Sequence, residues 1–345
     1  MVSYFLLIPS VTGLSAALTV AMLRYAVKYS VLDVPNGRSA HSAPTPRGGG
    51  LAIVISFTFS LFVLAWHSAT PWETALVLAG AGGLVAAVGL VDDHRPLSVR
   101  ARLSTHVVAA LAGLAGLGGL GAIEFGGVPI DLGWPGDLFG VVVLVWLLNL
   151  YNFMDGIDGL AGVEAVTVSF SAAVLAWQHS AGDDAGLAAL LGASTLGFLL
   201  LNWPPARIFM GDTGSGFLGL MAGLLAVRAG HTEPRLLWVW VVLLGVFVVD
   251  ATTTLVRRLL MGGEPFRPHR DHAYQHVSRK WSHRKTTATI ALINLCWLLP
   301  VAFAVIQGTI TGVAGVALAY LPLIGVAIWQ KAGVRSNLTA RTANP

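Results

Sequence analysis

Eleven apolar runs follow one another along this chain, at about 4–27, 50–68, 73–91, 103–123, 137–154, 161–180, 185–203, 214–229, 236–256, 286–307 and 309–330, with only short polar segments between them. Crossing the roughly 30 Å hydrocarbon layer of a bilayer takes about 20 apolar residues in a helix. A spanning segment must also satisfy its own backbone hydrogen bonds, which a helix does alone. The spacing therefore predicts an all-α polytopic membrane protein with about eleven transmembrane helices. It predicts a single integral-membrane domain over 1–330 and a polar, disordered tail over 331–345. Charged residues make up only 11% of the chain, against about 25% in soluble domains. No basic residue precedes the first run, so that run reads as a retained helix and not as a cleaved signal. The single cysteine, Cys296, lies inside an apolar run and can form neither an intrachain disulfide nor a cysteine metal site.

Lysine and arginine set the orientation, because they collect on the cytoplasmic side of membrane proteins. With the N-terminus placed in the periplasm, nineteen of the 21 basic residues fall on the inner side, and only Arg228 and Arg235 remain outside. The C-terminus is then cytoplasmic. The outer loops carry acids instead: Glu73, Glu124, Asp131, Asp137, Asp183, Asp184 and Glu233. Five inner segments, near 28–49, 92–102, 155–160, 203–213 and 257–285, are expected to converge on one face.

Those segments hold nearly all of the polar chemistry. Asp92 and Asp93 end the third run. Adjacent carboxylates repel unless a cation or a base compensates, so one suits a metal and the other a proton. Asn149, Asn152, Asp155 and Asp158 follow at steps of three, a spacing that puts them on one helical face. Asp212 sits in the glycine-rich turn Gly211-Asp-Thr-Gly-Ser-Gly216 ahead of the eighth run. Free N–H groups at such a turn suit anions, and an acid there makes sense with a cation between it and a phosphate.

The last long inner loop carries His269, Arg270, His272 and His276 among further cations. Their spacing suggests one helical face. So many positive neighbours argue against zinc and for a diphosphate, which arginine forks and histidine donors match. A surface helix anchored by Tyr274 and Trp281 is the plainer reading of this stretch. The first inner loop adds Arg38, His41 and Arg47 before a glycine triplet. Asp250, inside the ninth run, is placed to pair with Arg257 or Arg258.

The order Asp33-x-Pro-Asn, His41, Pro46-Arg-Gly-Gly, then Val-Asp92-Asp93, then Asn152-Phe-Met-Asp155-Gly-Ile-Asp158-Gly-Leu-Ala, then Asn202-x-Pro, then Phe209-Met-Gly-Asp212-Thr-Gly-Ser, then a histidine-rich loop, resembles the polyprenyl-phosphate N-acetylhexosamine-1-phosphate transferases, the WecA/MraY superfamily. The stretch His269-Arg-Asp-His-Ala-Tyr-Gln-His276 is closest to its WbpL-like branch and departs from the consecutive histidines of other members. The resemblance implies transfer of a sugar-1-phosphate from a UDP-N-acetylhexosamine to undecaprenyl phosphate, with UMP leaving. It implies Mg²⁺ or Mn²⁺ on Asp212 and Asp155. Asp92 would activate the lipid phosphate, and Asp93, Asn152, Asp155 and Asp158 would hold metal and nucleotide. Phe209 matches a position that stacks on uracil, and Asn202 one that lines the nucleotide pocket. Arg38, His41, Arg47, His269, Arg270, His272 and His276 would bind substrate. The implied setting is the bacterial inner membrane, with the active site facing the cytoplasm, a product that starts O-antigen-like glycans, a possible homodimer and no nucleic-acid partner. Two other classes compete. An ion-coupled transporter would also place acids in membrane helices, although usually near the bilayer midplane. A CDP-alcohol phosphotransferase would need an Ala-Arg that the Asp155-to-Leu160 stretch lacks.

Overall fold

A computed structural model describes residues 4–35, 43–179, 181–262 and 269–334. Arg38 and His41 lie outside these residues. The described chain is all-α, as the apolar runs predict. Its helices are α1 (Tyr4–Lys28), α2 (Gly50–Trp66), α3 (Trp72–His94), α4 (Val99–Gly116), α5 (Gly133–Met154), α6 (Leu160–Gln178), α7 (Gly182–Asn202) and α8 (Asp212–Thr232). After these come α9 (Pro234–Leu243), α10 (Gly245–Leu260), α11 (Ala273–Lys280), α12 (His283–Ile293), α13 (Leu299–Ile306) and α14 (Gly312–Trp329). Two small antiparallel hairpins complete it: β1 (Leu32–Asp33) with β2 (Thr45–Pro46), and β3 (Ala122–Phe125) with β4 (Val128–Asp131).

By length and apolarity, seven helical segments can cross a membrane, and α9 with α10 makes an eighth span bent by 64°. The fused stretch His283–Ile306 counts as one of the seven. The remaining three expected spans correspond to α2, α4 and α8. At 17 residues α2 is short, while α4 begins with two arginines and α8 is rich in glycine. Large apolar side chains stay on the outside, among them Trp134 and Trp329 at 76% and 77% exposure. Water-soluble proteins rarely leave so much apolar surface open, and lipid is its natural neighbour.

Three elements differ from the sequence reading, each for a local reason. α4 stops at Gly116 instead of running to 123, because Gly118, Gly119 and Gly121 all take positive φ and turn the chain into β3. The run near 286–307 is interrupted by a π turn at Asn294–Leu298. Pro300 has no N–H to give to the preceding turn, and the wider π spacing absorbs the loss. At the C-terminal end, the first residues of the expected tail are packed. Ala332 is fully buried, its carbonyl accepts from Arg257, and Gly333 N–H donates to the Asp271 carbonyl at 2.7 Å.

The central helix is α8, with seventeen of its twenty-one residues buried. It packs on α3 and α5. Close approach is possible because glycines face backbone at the contacts. A Cβ on Gly89 of α3 would stand 2.6 Å from the Asp212 carbonyl carbon and the Thr213 nitrogen. Gly50, at the start of α2, meets Gly214 backbone to backbone. These contacts press the N-terminus of α8 against the C-terminus of α3, which brings Asp212 beside Asp92 and Asp93.

Candidate active site

Five parts of the chain meet around that contact. The segment after β2 runs alongside 207–211: Phe209 N–H donates to the Pro46 carbonyl at 2.8 Å, while Gly49 and Gly50 donate to the carbonyls of Phe209 and Met210, both at 2.9 Å. This pairing carries Arg47 to the acids. Its guanidinium lies 2.7 Å from Asp212 and 2.9 Å from Asp93. From the other side, Arg102 on α4 reaches Asp92 at 3.0 Å and Asp212 at 3.3 Å. Asp92 also accepts from Leu97 N–H at 2.6 Å, which fixes the turn between α3 and α4.

A cavity of about 1110 Å³ opens beside these ion pairs. Asp92, Asn152, Asp155, Asp158, Asn202, Phe209, Asp212, Arg47, His269, Arg270 and His272 all line it. The sequence candidates from five separate segments thus share one chamber. Two do not reach its wall. His276 lies behind it, in the first turn of α11. Asp93 is also absent from the lining, and its side chain is 1% exposed. Its carboxylate accepts from the N–H groups of Asp212 at 2.9 Å and Thr213 at 3.2 Å, and from the Thr213 hydroxyl at 2.7 Å. The expectation that Asp93 faces ligand is therefore corrected: it holds the N-terminus of α8, whose first N–H groups have no partner within the helix.

Other candidates are braced in similar ways. Asn202 is buried, with its oxygen on Gly159 N–H and its amide donating to the Ile208 carbonyl. Asn152 donates to Ser215 at 3.2 Å, tying α5 to α8. Asp158 accepts from Ala206 N–H and stands 3.4 Å from His283. Asp155 accepts no hydrogen bond from any described residue. Enclosure by protein pushes its pKa well above the ordinary carboxylate range, and the negative charges of Asp212, Asp93 and Asp158 add to this against the opposing pull of Arg47.

The histidine loop is not a single helical face. α11 begins only at Ala273, with His272 as its N-cap and His269 in the segment before it. The rings of His269 and His272 stack at 5.0 Å, and those of His272 and Tyr274 at 5.6 Å. Burial, helped by the neighbouring His272 ring and the Arg258 guanidinium, lowers the pKa of His269 to about 4. His269 is thus a neutral imidazole at pH 7. Tyr274 is buried and donates to the Phe153 carbonyl at 2.9 Å, so it anchors α11 to the end of α5 and not to a membrane surface. Asp250 does not pair with Arg257 or Arg258. Arg258 meets Asp271 at 2.5 Å, and Asp250 turns to the start of α11 instead.

Sequence reasoning passed over Arg102, His106, Gln275 and His283, all on the cavity wall. Only Arg102 had a signal. The Pro96-containing turn between two apolar runs must fold α4 back along α3, which returns Arg102 to Asp92.

Among the described residues, no three acidic, histidine or cysteine side chains converge tightly enough to enclose a metal. Magnesium does not require that. It commonly takes one or two carboxylates and completes its shell with water and substrate phosphates. Asp155 and Asp212, two hard oxygen donors with mutual repulsion at a cavity wall, fit such an ion.

Residues 74–230 match the family model described as glycosyl transferase family 4. The chain is similar to a probable undecaprenyl-phosphate N-acetylglucosaminyl 1-phosphate transferase of Bacillus subtilis, at 32% identity over 80% of this chain and 78% of that one. It is 30% identical to the undecaprenyl-phosphate alpha-N-acetylglucosaminyl 1-phosphate transferase of Escherichia coli, over 74% and 71% of the two chains. It is 37% identical to a phospho-N-acetylmuramoyl-pentapeptide-transferase of Moorella thermoacetica, over 65% and 72%.

Proposed function

The chain belongs to the polyprenyl-phosphate N-acetylhexosamine-1-phosphate transferases of glycosyl transferase family 4, and from that premise we propose that it moves N-acetylglucosamine-1-phosphate from UDP-N-acetylglucosamine to undecaprenyl phosphate and releases UMP. As a family member it is a multi-pass membrane enzyme that transfers a sugar phosphate to a polyprenyl phosphate. The printed names of the Bacillus and Escherichia relatives favour N-acetylglucosamine.

One observation carries the reading. Acids from the ends of α3, α5 and α8 share a single cavity with Arg47, Arg102 and Arg270. In the reaction an oxygen of the lipid phosphate attacks the sugar-bearing phosphorus, and the bond from that phosphorus to the UMP oxygen breaks. One diphosphate replaces another, so the main barrier is repulsion between two anions. Fixed positive groups that face the developing charge lower it. Arg102 and Asp92 are placed together to receive and orient the lipid phosphate. Phe209 offers a ring face for uracil, and Asn152, Arg270, His269 and His272 offer donors to the nucleotide and its diphosphate. Asp212 and Asp155 would hold the Mg²⁺ ion, with Mn²⁺ as a substitute, and the ion would supply charge neutralisation to the diphosphate.

The distribution of lysine and arginine supports a cytoplasmic cavity in a bacterial inner membrane. A polyprenyl tail stays in lipid, which suits a site built at helix ends. The product made there would initiate a cell-envelope glycan of the O-antigen type. Transport draws no support, because the acids that line the cavity gather at one end of the bundle.

Membranes containing the protein should release UMP from UDP-N-acetylglucosamine only when undecaprenyl phosphate is added. Asp212→Asn and Asp92→Asn should each reduce that release by about 100-fold or more while the chain still inserts normally. Undiminished release in Asp212→Asn, or release without lipid phosphate, would sink the reading. A panel of UDP-sugars checks the sugar.

A further inference from the structure

A buried acid on α10 organises the histidine loop without touching the cavity. Asp250 is 6% exposed and does not line the chamber. One oxygen accepts the Ala273 N–H at 2.9 Å and the Thr254 hydroxyl at 3.1 Å; the other accepts the Tyr274 N–H at 2.9 Å. These are the first two N–H groups of α11, which would otherwise lack partners. A carboxylate there also complements the positive end of the helix dipole. Asp250 therefore caps α11 from a neighbouring helix.

The same carboxylate faces His272. Its Oδ1 lies 3.4 Å from His272 Nδ1, and Nδ1 is buried, makes no hydrogen bond, and has this carboxylate within ion-pair distance. The ring is held flat between His269 and Tyr274, and the residue is 3% exposed at the cavity wall. A carboxylate beside one imidazole nitrogen draws the proton to that nitrogen and sets the ring's orientation. Nδ1 thus belongs to Asp250, and Nε2 is left for the chamber.

We infer that Asp250 is a positioning residue for the transfer: it fixes the tautomer and direction of His272, so that Nε2 meets substrate phosphate in one defined state. The inference rests on the proposed placement of His272 in the substrate site. Two further contacts stiffen the same loop. Arg258 pairs with Asp271, and Gly333 donates to the Asp271 carbonyl.

A double-mutant cycle in detergent-solubilised full-length protein tests it. Partners that orient a functional imidazole typically contribute about 10- to 100-fold. Asp250→Asn and His272→Gln should each lower kcat/KM by that amount, and the double variant should be no worse than His272→Gln alone. Asp250→Glu should recover part of the loss, since it restores a carboxylate. A residue that only capped α11 would instead show losses that multiply in the double variant, and that result overturns the inference. So does Asp250→Asn with normal kcat/KM beside an impaired His272→Gln. Normal activity in His272→Gln would instead defeat the placement of His272, and with it the premise. If Asp250→Asn does not fold, the cycle is run with Asp250→Glu, where multiplying losses again overturn the inference and loss without further loss in the double variant supports it.

Discussion

The carboxylate of Asp93 receives the backbone N–H of Asp212 at 2.9 Å. The acid thus sets the position of another acid without facing ligand itself. It also accepts from both donors of Thr213 and pairs with Arg47. Removing a capping side chain costs about 0.5–2 kcal/mol, and here the loss would also leave the half-buried Arg47 guanidinium with one partner fewer. Asp93→Ala is expected to destabilise the protein by about that amount and to lower kcat/KM at least tenfold, as Asp212 loses its fixed position. Thermal unfolding and UMP release measured on one preparation check both. Unchanged stability would show that the cap contributes nothing.

Asp155 predicts a pH dependence. Enclosure raises its pKa, with Asp212 the next cause. If Asp155 must be ionised to hold cation, activity rises with pH through a limb above the ordinary carboxylate range. The stability contribution runs the other way. The folded chain binds this proton more tightly than the unfolded chain, so the contribution is fully present below the ordinary range and fades as pH climbs to the raised value. Asp155→Asn should flatten that acid limb. A wild-type kcat/KM profile at limiting magnesium with no rise above the ordinary carboxylate range would contradict the assignment.

The acids and their common end of the bundle were legible because apolar runs fix where helices stop and basic residues fix which ends belong together. What each acid does was not. Asp92 and Asp93 are neighbours in sequence, but successive residues on a helix point about 100° apart, so one opens to the cavity and the other to α8. Nothing local distinguishes them; the choice is made by how α3 packs. Asp250 misled for the same reason. Its nearest cations along α10 are Arg257 and Arg258, yet the tertiary fold delivers the α11 N-terminus to it first. The histidines at 269, 272 and 276 have helical spacing, but the helix starts after His272. The glycines that end α4 were visible, but a count of apolar residues does not register them as a stop, so the expected run extended too far.

Metal removal gives a third expectation. With EDTA, UMP release should stop, and added Mg²⁺ or Mn²⁺ should restore it. Asp212 already has Arg47 and Arg102 as neighbours, so the acid cluster keeps much of its charge balance without a cation. The fold should therefore survive chelation, with a melting temperature close to that of the untreated protein. Release that continues unchanged in EDTA would remove the metal from the proposal, whatever the Asp212 variants do.

The junction of α5 and α11 offers a test by steric rescue. Tyr274 donates to the Phe153 carbonyl, and its hydroxyl occupies the space where a Cβ on Gly156 would lie. Gly156→Ala therefore forces the hydroxyl away, and α11 moves with it, carrying His272 off the cavity wall. Overpacking at a well-filled contact costs about 1–3 kcal/mol. Tyr274→Phe alone gives up one hydrogen bond, worth about 0.5–1.5 kcal/mol, and removes the clashing oxygen. The ring carbon that bore it would still stand 3.2 Å from the new methyl, a contact that a small ring shift relieves. Gly156→Ala combined with Tyr274→Phe should then be more active than Gly156→Ala alone, although both changes are individually harmful. Activity in the pair that is no better than in the single glycine variant would mean that Gly156 is required for its backbone, and that the hydroxyl of Tyr274 is not what the glycine makes room for.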